Sequence, residues 1–190
     1  MSWRRLRALR YAARIRRPAT GRLNSGVRHQ EHMQPQVIDG DLLDQDTEVI
    51  VNAWNRNIIP WWLLLPQGVS GAIKRRAGYK PFFEVGRAGA IPVGGAVITG
   101  AGHLSYKAII HVAGINMLWR ASPKSIQGSV CAAMALVTEH RFSSVAFPII
   151  GAGTGSYSQS SALELMLTTF QGISSSARVV IVRFGRRAGV

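Results

Sequence analysis

Four short stretches of this chain, three of them with glycine, carry groups suited to gripping a phosphorylated ligand that carries a base. In Gly40-Asp41-Leu42-Leu43 a carboxylate stands where a strand candidate gives way to a loop. Asp41 there has two readings: an acceptor for a purine amino group, or a cap on the next turn. Asn52-Ala53-Trp54-Asn55 closes a buried strand with two amides, each able to donate and to accept. Such a pair orients a loop and a sugar hydroxyl, or simply holds loop backbone, and the second reading suits Asn52 better than Asn55. In Gln67-Gly68-Val69-Ser70-Gly71-Ala72-Ile73-Lys74 a glycine loop opens a helix. Free amide hydrogens and the positive end of the helix dipole then point together, a setting for phosphate. Ile150-Gly151-Ala152-Gly153-Thr154-Gly155-Ser156-Tyr157 follows an apolar strand with three glycines in five residues. It has neither the GK[ST] of a P-loop nor the GxGxxG spacing of a dinucleotide fold, so it reads as an anion-holding loop or as a plain turn. Two such loops with an Asp and an Asn pair imply a diphosphate flanked by two sugars and a base.

These stretches need elements to hold them. Gln36–Asp39, Val49–Ala53, Ala96–Thr99, Lys107–Ala113, Ser144–Ile150 and Arg178–Phe184 read as strands, rich in β-branched and apolar residues. Helices fall between them. Val69, Ile73 and Ala77 recur at helical spacing over Val69–Ala77. Ile126, Val130, Ala133, Met134 and Val137 line one face of Ile126–His140, and Leu163, Met166, Leu167 and Phe170 one face of Ser158–Gln171. Apolar strands interleaved with helices predict an α/β fold, a mostly parallel sheet covered on both faces. Ligands of such sheets sit beyond the carboxyl ends of the strands.

The 190 residues suit one domain, and 47% hydrophobic content permits a real core. A single cysteine, Cys131, excludes an internal disulfide and a Cys-based zinc site; no metal or cofactor is expected, and a reducing cytoplasm fits. No run of 18 apolar residues suggests a membrane span. The net charge of +14 is lopsided, since residues 1–32 hold 9 Arg and one acid, Glu31. That segment reads as a phosphate-contacting arm, as a transit-like peptide, or as sequence upstream of a true start at Met33. The last is favoured because the folded pattern begins just after Met33, and a disordered extension over 1–32 is expected beside a domain over 33–190.

Taken in order, the motifs resemble the macro domain family. The family's Gly-Asp-Ile-like step and its strand ending Asn-Ala-Ala-Asn are matched by Gly40-Asp41-Leu42 and Asn52-Ala53-Trp54-Asn55. Gly68-Val69-Ser70-Gly71-Ala72-Ile73 resembles its first glycine loop. Gly95–Thr99 through Ile110-His111-Val112-Ala113-Gly114 and the Ala146–Gly155 stretch are also similar. The resemblance implies a three-layer α/β/α fold with a mixed, mostly parallel sheet, and ADP-ribose or an ADP-ribosylated protein as partner. Asp41 would hold the adenine amino group with help from the Leu42 backbone, and Asn55 would face the distal ribose. Gly68, Val69 and Ser70 would wrap one side of the diphosphate, and Gly151, Ala152, Gly153, Thr154 and Gly155 the other. Phe184 would flank the adenine, where stacking is worth about 1–3 kcal/mol; its competing reading is core packing. His111 and Cys131 read as core residues.

The chain departs from the family in three places. Hydrolytic members often carry Asp where this chain has Ser70, and a serine alone is no base at neutral pH. The segment Ile58–Pro66, with Trp61-Trp62, is longer and strongly apolar, a rigid part-buried loop or a partner patch. The aromatic that relatives place in the second loop aligns with Gly155, so either Tyr157 substitutes for it or the distal ribose is less covered. The leading expectation is hydrolysis of ADP-ribosyl esters or O-acetyl-ADP-ribose, with Asn55 and Ser70 as catalytic candidates and Lys74 as an outside source of electrostatic help. The rivals are a non-catalytic ADP-ribose reader and a nucleic-acid binder acting through the basic arm.

Overall fold

The computed structural model describes residues 33–56, 58, 68–153 and 157–184. The Trp61-Trp62 segment, Thr154, Gly155 and residues 1–32 lie outside them. Among the described residues are six strands and four helices, in the order β1 (Gln36–Asp39), β2 (Val49–Trp54), α1 (Gly68–Ala77), α2 (Lys80–Arg87), β3 (Ala96–Thr99), β4 (Ala108–Ala113), α3 (Pro123–Glu139), β5 (Ser144–Pro148), α4 (Gln159–Gln171) and β6 (Arg178–Arg183). One turn of 3₁₀ helix, Leu42–Asp44, follows β1.

The strands form one sheet in the order β1-β6-β5-β2-β4-β3. Every pairing is parallel except β3 with β4. Alternate residues of a strand point to opposite faces, so a strand covered on both sides must be apolar throughout. Val49 and Val51 of β2, Ile110 of β4 and Phe147 of β5 accordingly join α3 and α4 residues Val130, Met134, Met166 and Phe170 in one cluster. Ile50, Ile109, Ala146 and Val180 join α1 and α2 residues Ile73, Phe82 and Val85 in the other. The expected three-layer α/β/α arrangement is what forms. Phe147 and Phe170 meet edge to face at 5.2 Å, and truncating either to Ala would cost about 3–5 kcal/mol.

Three sequence expectations need adjustment. α3 begins at Pro123, three residues before the apolar periodicity does, because Ser122 and Ser125 form a reciprocal cap. α2 was not expected, since no element was assigned over 80–87; Pro81 sits in the first turn, where its missing N–H leaves no intrahelical bond unmade. Cys131, expected in the core, is exposed. It follows buried Val130 on α3, and one helical step turns it by about 100° to the outer side.

Candidate functional site

Five parallel strands deliver their carboxyl ends to a single edge of the sheet. Along that edge the exits appear in the order Asp41 after β1, Phe184 after β6, Ile149–Gly153 after β5, Asn55 after β2, and Gly114 after β4. Residues up to 144 positions apart in the chain thereby share one rim.

Asp41 performs the capping task that its sequence position allowed. Its Oδ1 accepts from Leu43 N at 2.9 Å, and its Oδ2 stands 3.9 Å from Arg76 Nη1. The carboxylate remains half-exposed. Leu42 is buried, and its carbonyl accepts from the Tyr106 hydroxyl at 3.2 Å. Phe184, expected either beside a ligand or in the core, is 72% exposed directly beyond β6.

The first glycine turn is the opening of α1 itself. Gly68 takes φ of +57°, and a Cβ built on it meets no described atom within 4 Å. The first amides of a helix have no intrahelical acceptor, so Gly68, Val69 and Ser70 present N–H groups at its positive end. The Ser70 side chain, by contrast, faces inward. Its hydroxyl donates to Asn52 Oδ1 at 2.6 Å, with Ala53 O at 3.2 Å, which seats the first turn over the carboxyl end of β2. Lys74 stands with its ammonium 5.4 Å from the Tyr79 ring centroid and 6.0 Å from that of Phe82.

Behind Ser70 runs a chain of buried polar groups. Asn52 Nδ2 donates to His111 Nδ1 at 3.1 Å. An acceptor at Nδ1 leaves the imidazole proton on Nε2, which donates to Thr99 Oγ1 at 2.9 Å. Thr99 in turn donates to Gly100 O at 3.0 Å. Asn52 and His111 are both fully buried. Burial holds the His111 pKa down from 6.5 to about 3, so the ring is neutral. The sequence reading put His111 in the core but missed this pairing. The available signal was position: each is the fourth residue of an otherwise apolar strand, and the β2–β4 register sets them side by side.

The second glycine turn is fixed differently. Gly151 adopts φ of +89°, and a Cβ there would lie 2.9 Å from Ala121 Cβ and 3.1 Å from Ile126 Cδ1. Tyr157 N returns to Gly151 O at 3.2 Å and closes the turn. Ala152 and Tyr157 are half-buried; Gly153 is exposed, with no described atom within 4 Å of a Cβ built on it. Asn55 is half-buried just past β2. Among the described residues no group of three His, Cys, Asp or Glu is placed to hold a metal, and no helix is long and apolar enough to cross a membrane.

One sheet between two helical layers, with amide-lined turns at the carboxyl ends of adjacent parallel strands, is the α/β architecture whose ligands sit at that edge. Comparison with known proteins narrows this. The macro domain profile matches residues 51–166. An O-acetyl-ADP-ribose deacetylase of Cronobacter turicensis is 36% identical over 141 residues, 70% of this chain and 76% of that protein. A macrodomain of Oceanobacillus iheyensis solved with ADP aligns at TM-score 0.68 and 28% identity, covering 80% of this chain and 83% of the other. A mutant of that macrodomain solved with ADPR aligns at TM-score 0.69 and 27% identity, over 80% and 85% of the two chains. The chain belongs to the macro domain family. The matched span holds Asn55, Gly68–Ser70 and Gly151–Tyr157, whereas Asp41 and Phe184 lie outside it.

Proposed function

We propose that this protein binds ADP-ribose along the carboxyl edge of its sheet and hydrolyses an ester on the distal ribose, of an ADP-ribosylated side chain or of O-acetyl-ADP-ribose. The observation that carries the binding reading is the order of the exits along one rim. Adenine lies between Asp41 and Phe184, with the Leu42 backbone assisting. The diphosphate lies between the Gly68–Ser70 amides and the Gly151–Gly155 turn, and the distal ribose lies by Asn55 with Tyr157 near. Relatives solved with ADP and ADPR, and the deacetylase name of a relative, support the same ligand class. A reducing cytoplasm is the compartment proposed, consistent with one unpaired cysteine.

In this reading Ser70 is a positioning residue, because its proton is already committed to Asn52. Water is then activated by a phosphate oxygen of the substrate, with Asn55 orienting it. The same commitment of Ser70 favours a second reading, a reader that binds and does no chemistry. Calorimetry on the full chain decides binding, with affinity near micromolar expected, about −8 kcal/mol. Asp41→Ala should weaken ADP-ribose about tenfold or more and cost about 1 kcal/mol of stability through the lost cap. Unchanged affinity would remove Asp41 from the adenine site. Turnover of a glutamate-linked ADP-ribosyl substrate separates enzyme from reader. A steep loss of nucleic-acid binding with salt that vanishes on deleting residues 1–32 would favour the basic-arm alternative.

A further inference from the structure

The exposed apolar side chains gather at one end of this rim. Of eight large hydrophobics exposed among the described residues, five are Ile58, Val93, Met117, Leu118 and Trp119. Topology brings them together. Ile58 follows β2, and residues 117–119 follow β4. β3 is antiparallel to β4, so the turn before it, which carries Val93, comes to the same edge. Two backbone bonds tie the three segments: Ile91 N to Arg56 O and Gly94 N to Ala113 O, both 2.8 Å.

The 117–119 turn is built, and its apolar side chains are held outward. Asn116 Oδ1 accepts from Leu118 N at 2.9 Å and from Arg120 N at 3.0 Å. Asn116 N donates to Arg120 O at 2.9 Å, and Trp119 N to Asn116 O at 3.1 Å. Trp119 takes φ of +59°, a conformation costing a bulky residue on the order of 1–3 kcal/mol. Met117 and Leu118 are 66% and 75% exposed at the end of this framework. A rigid turn presenting apolar groups to water marks a contact surface.

Charge says what kind. Between Glu48 and Glu139 the only acidic residue is Glu84, and its carboxylate is occupied by Gly100 N at 2.8 Å. Arg120 and Lys124 are exposed beside the turn, and Arg56 precedes Ile58. The order of exits fixes where the surface lies relative to the ligand. With adenine over β1 and β6 and diphosphate over β5 and β2, whatever is joined to the distal ribose emerges over β4.

Building on the ADP-ribose reading, we infer that this corner docks the polypeptide bearing the modification, specifically a segment with acidic and apolar residues flanking the modified side chain. Four of the five, Ile58, Val93, Met117 and Leu118, are aliphatic and suit a polypeptide, with Trp119 the one aromatic; nucleic acid is gripped through phosphates and a series of stacked bases. An acetyl group is too small to span these residues, so a modified protein is the substrate class this corner serves.

The test compares full-length parent, a Met117→Ser/Leu118→Ser double variant and Arg120→Glu by calorimetry. The probes are free ADP-ribose and an acidic, apolar-flanked peptide carrying ADP-ribose through a non-hydrolysable linkage. The parent should hold the conjugate roughly tenfold tighter than ADP-ribose. Both variants should lose that gain while keeping the parent's affinity for ADP-ribose and its urea midpoint. Absence of the gain in the parent, its survival in both variants, or an equal weakening of free ADP-ribose overturns the proposal. So does an equal gain from an ADP-ribosylated oligonucleotide. A parent that binds no free ADP-ribose overturns the underlying ligand reading as well, and that arm identifies which of the two has failed.

Discussion

The turn that opens α1 and the turn that leaves β5 serve neighbouring strands at the same edge, yet different forces hold them. The first is tied down through Ser70, Asn52, His111 and Thr99, a run of buried groups with each hydrogen bond made. Among its described residues the second has no such anchor. Gly151 fits there because Ala121 and Ile126 leave no room for a side chain. A polar anchor is directional and therefore accurate, but it fails at a high cost when one member is lost. A steric anchor tolerates changes of pH and salt and fails only when volume is added.

That contrast can be broken at either end. The largest effect is expected from Asn52→Ala, which leaves His111 Nδ1 without its donor in a fully buried site. About 3 kcal/mol of stability should be lost, read as a fall in urea midpoint at unchanged slope. A loss below about 0.5 kcal/mol would mean the chain is not the anchor.

Acid should find the same weakness. His111 titrates at about 3 in the fold and near 6.5 when unfolded. Between those values the unfolded state binds more protons, so stability rises with pH and falls as pH drops below 6.5. About 2 kcal/mol should be lost by pH 5. Glu48, whose pKa is lowered first by its hydrogen bond to Lys107, stays ionised across that window and does not confuse the result. A His111→Gln variant with the parent's slope over pH 5–6.5 would assign it elsewhere.

Gly151→Ala probes the steric turn. It should cost about 1–2 kcal/mol, independent of pH, and be partly relieved by a second change, Ala121→Gly. No relief would mean that backbone strain at positive φ carries the whole cost. The smallest effect is expected from Ser70→Ala, about 1 kcal/mol, since Ser70 ends the polar run: its contacts to Asn52 and Ala53 go, while the bonds joining Asn52, His111 and Thr99 remain. If calorimetry then shows ADP-ribose bound as before, the Ser70 hydroxyl takes no part in holding the ligand.

Most of the scaffold was legible because its strands are apolar runs and its long helices keep an apolar face. α2 escaped because Pro81 and Gly86 act as breakers in a sequence and as ordinary residues at a helix terminus. Turns at the rim were legible where glycine or Asp marked them, as at Asp41, Gly68 and Gly151. The direction of a side chain was not. Ser70 looked like a ligand contact, and its hydroxyl points into the sheet; Asn52 and His111 looked unrelated until register joined them. Register follows from which strands become neighbours, information spread over the whole chain.

The reversed direction of β3 has a further consequence. It lets the loop preceding a strand border the corner proposed for docking, whereas the other described parts of the rim are made by loops that follow strands. On the docking proposal, length changes around Pro92-Val93 should alter the gain from the attached peptide and leave the affinity for free ADP-ribose unchanged.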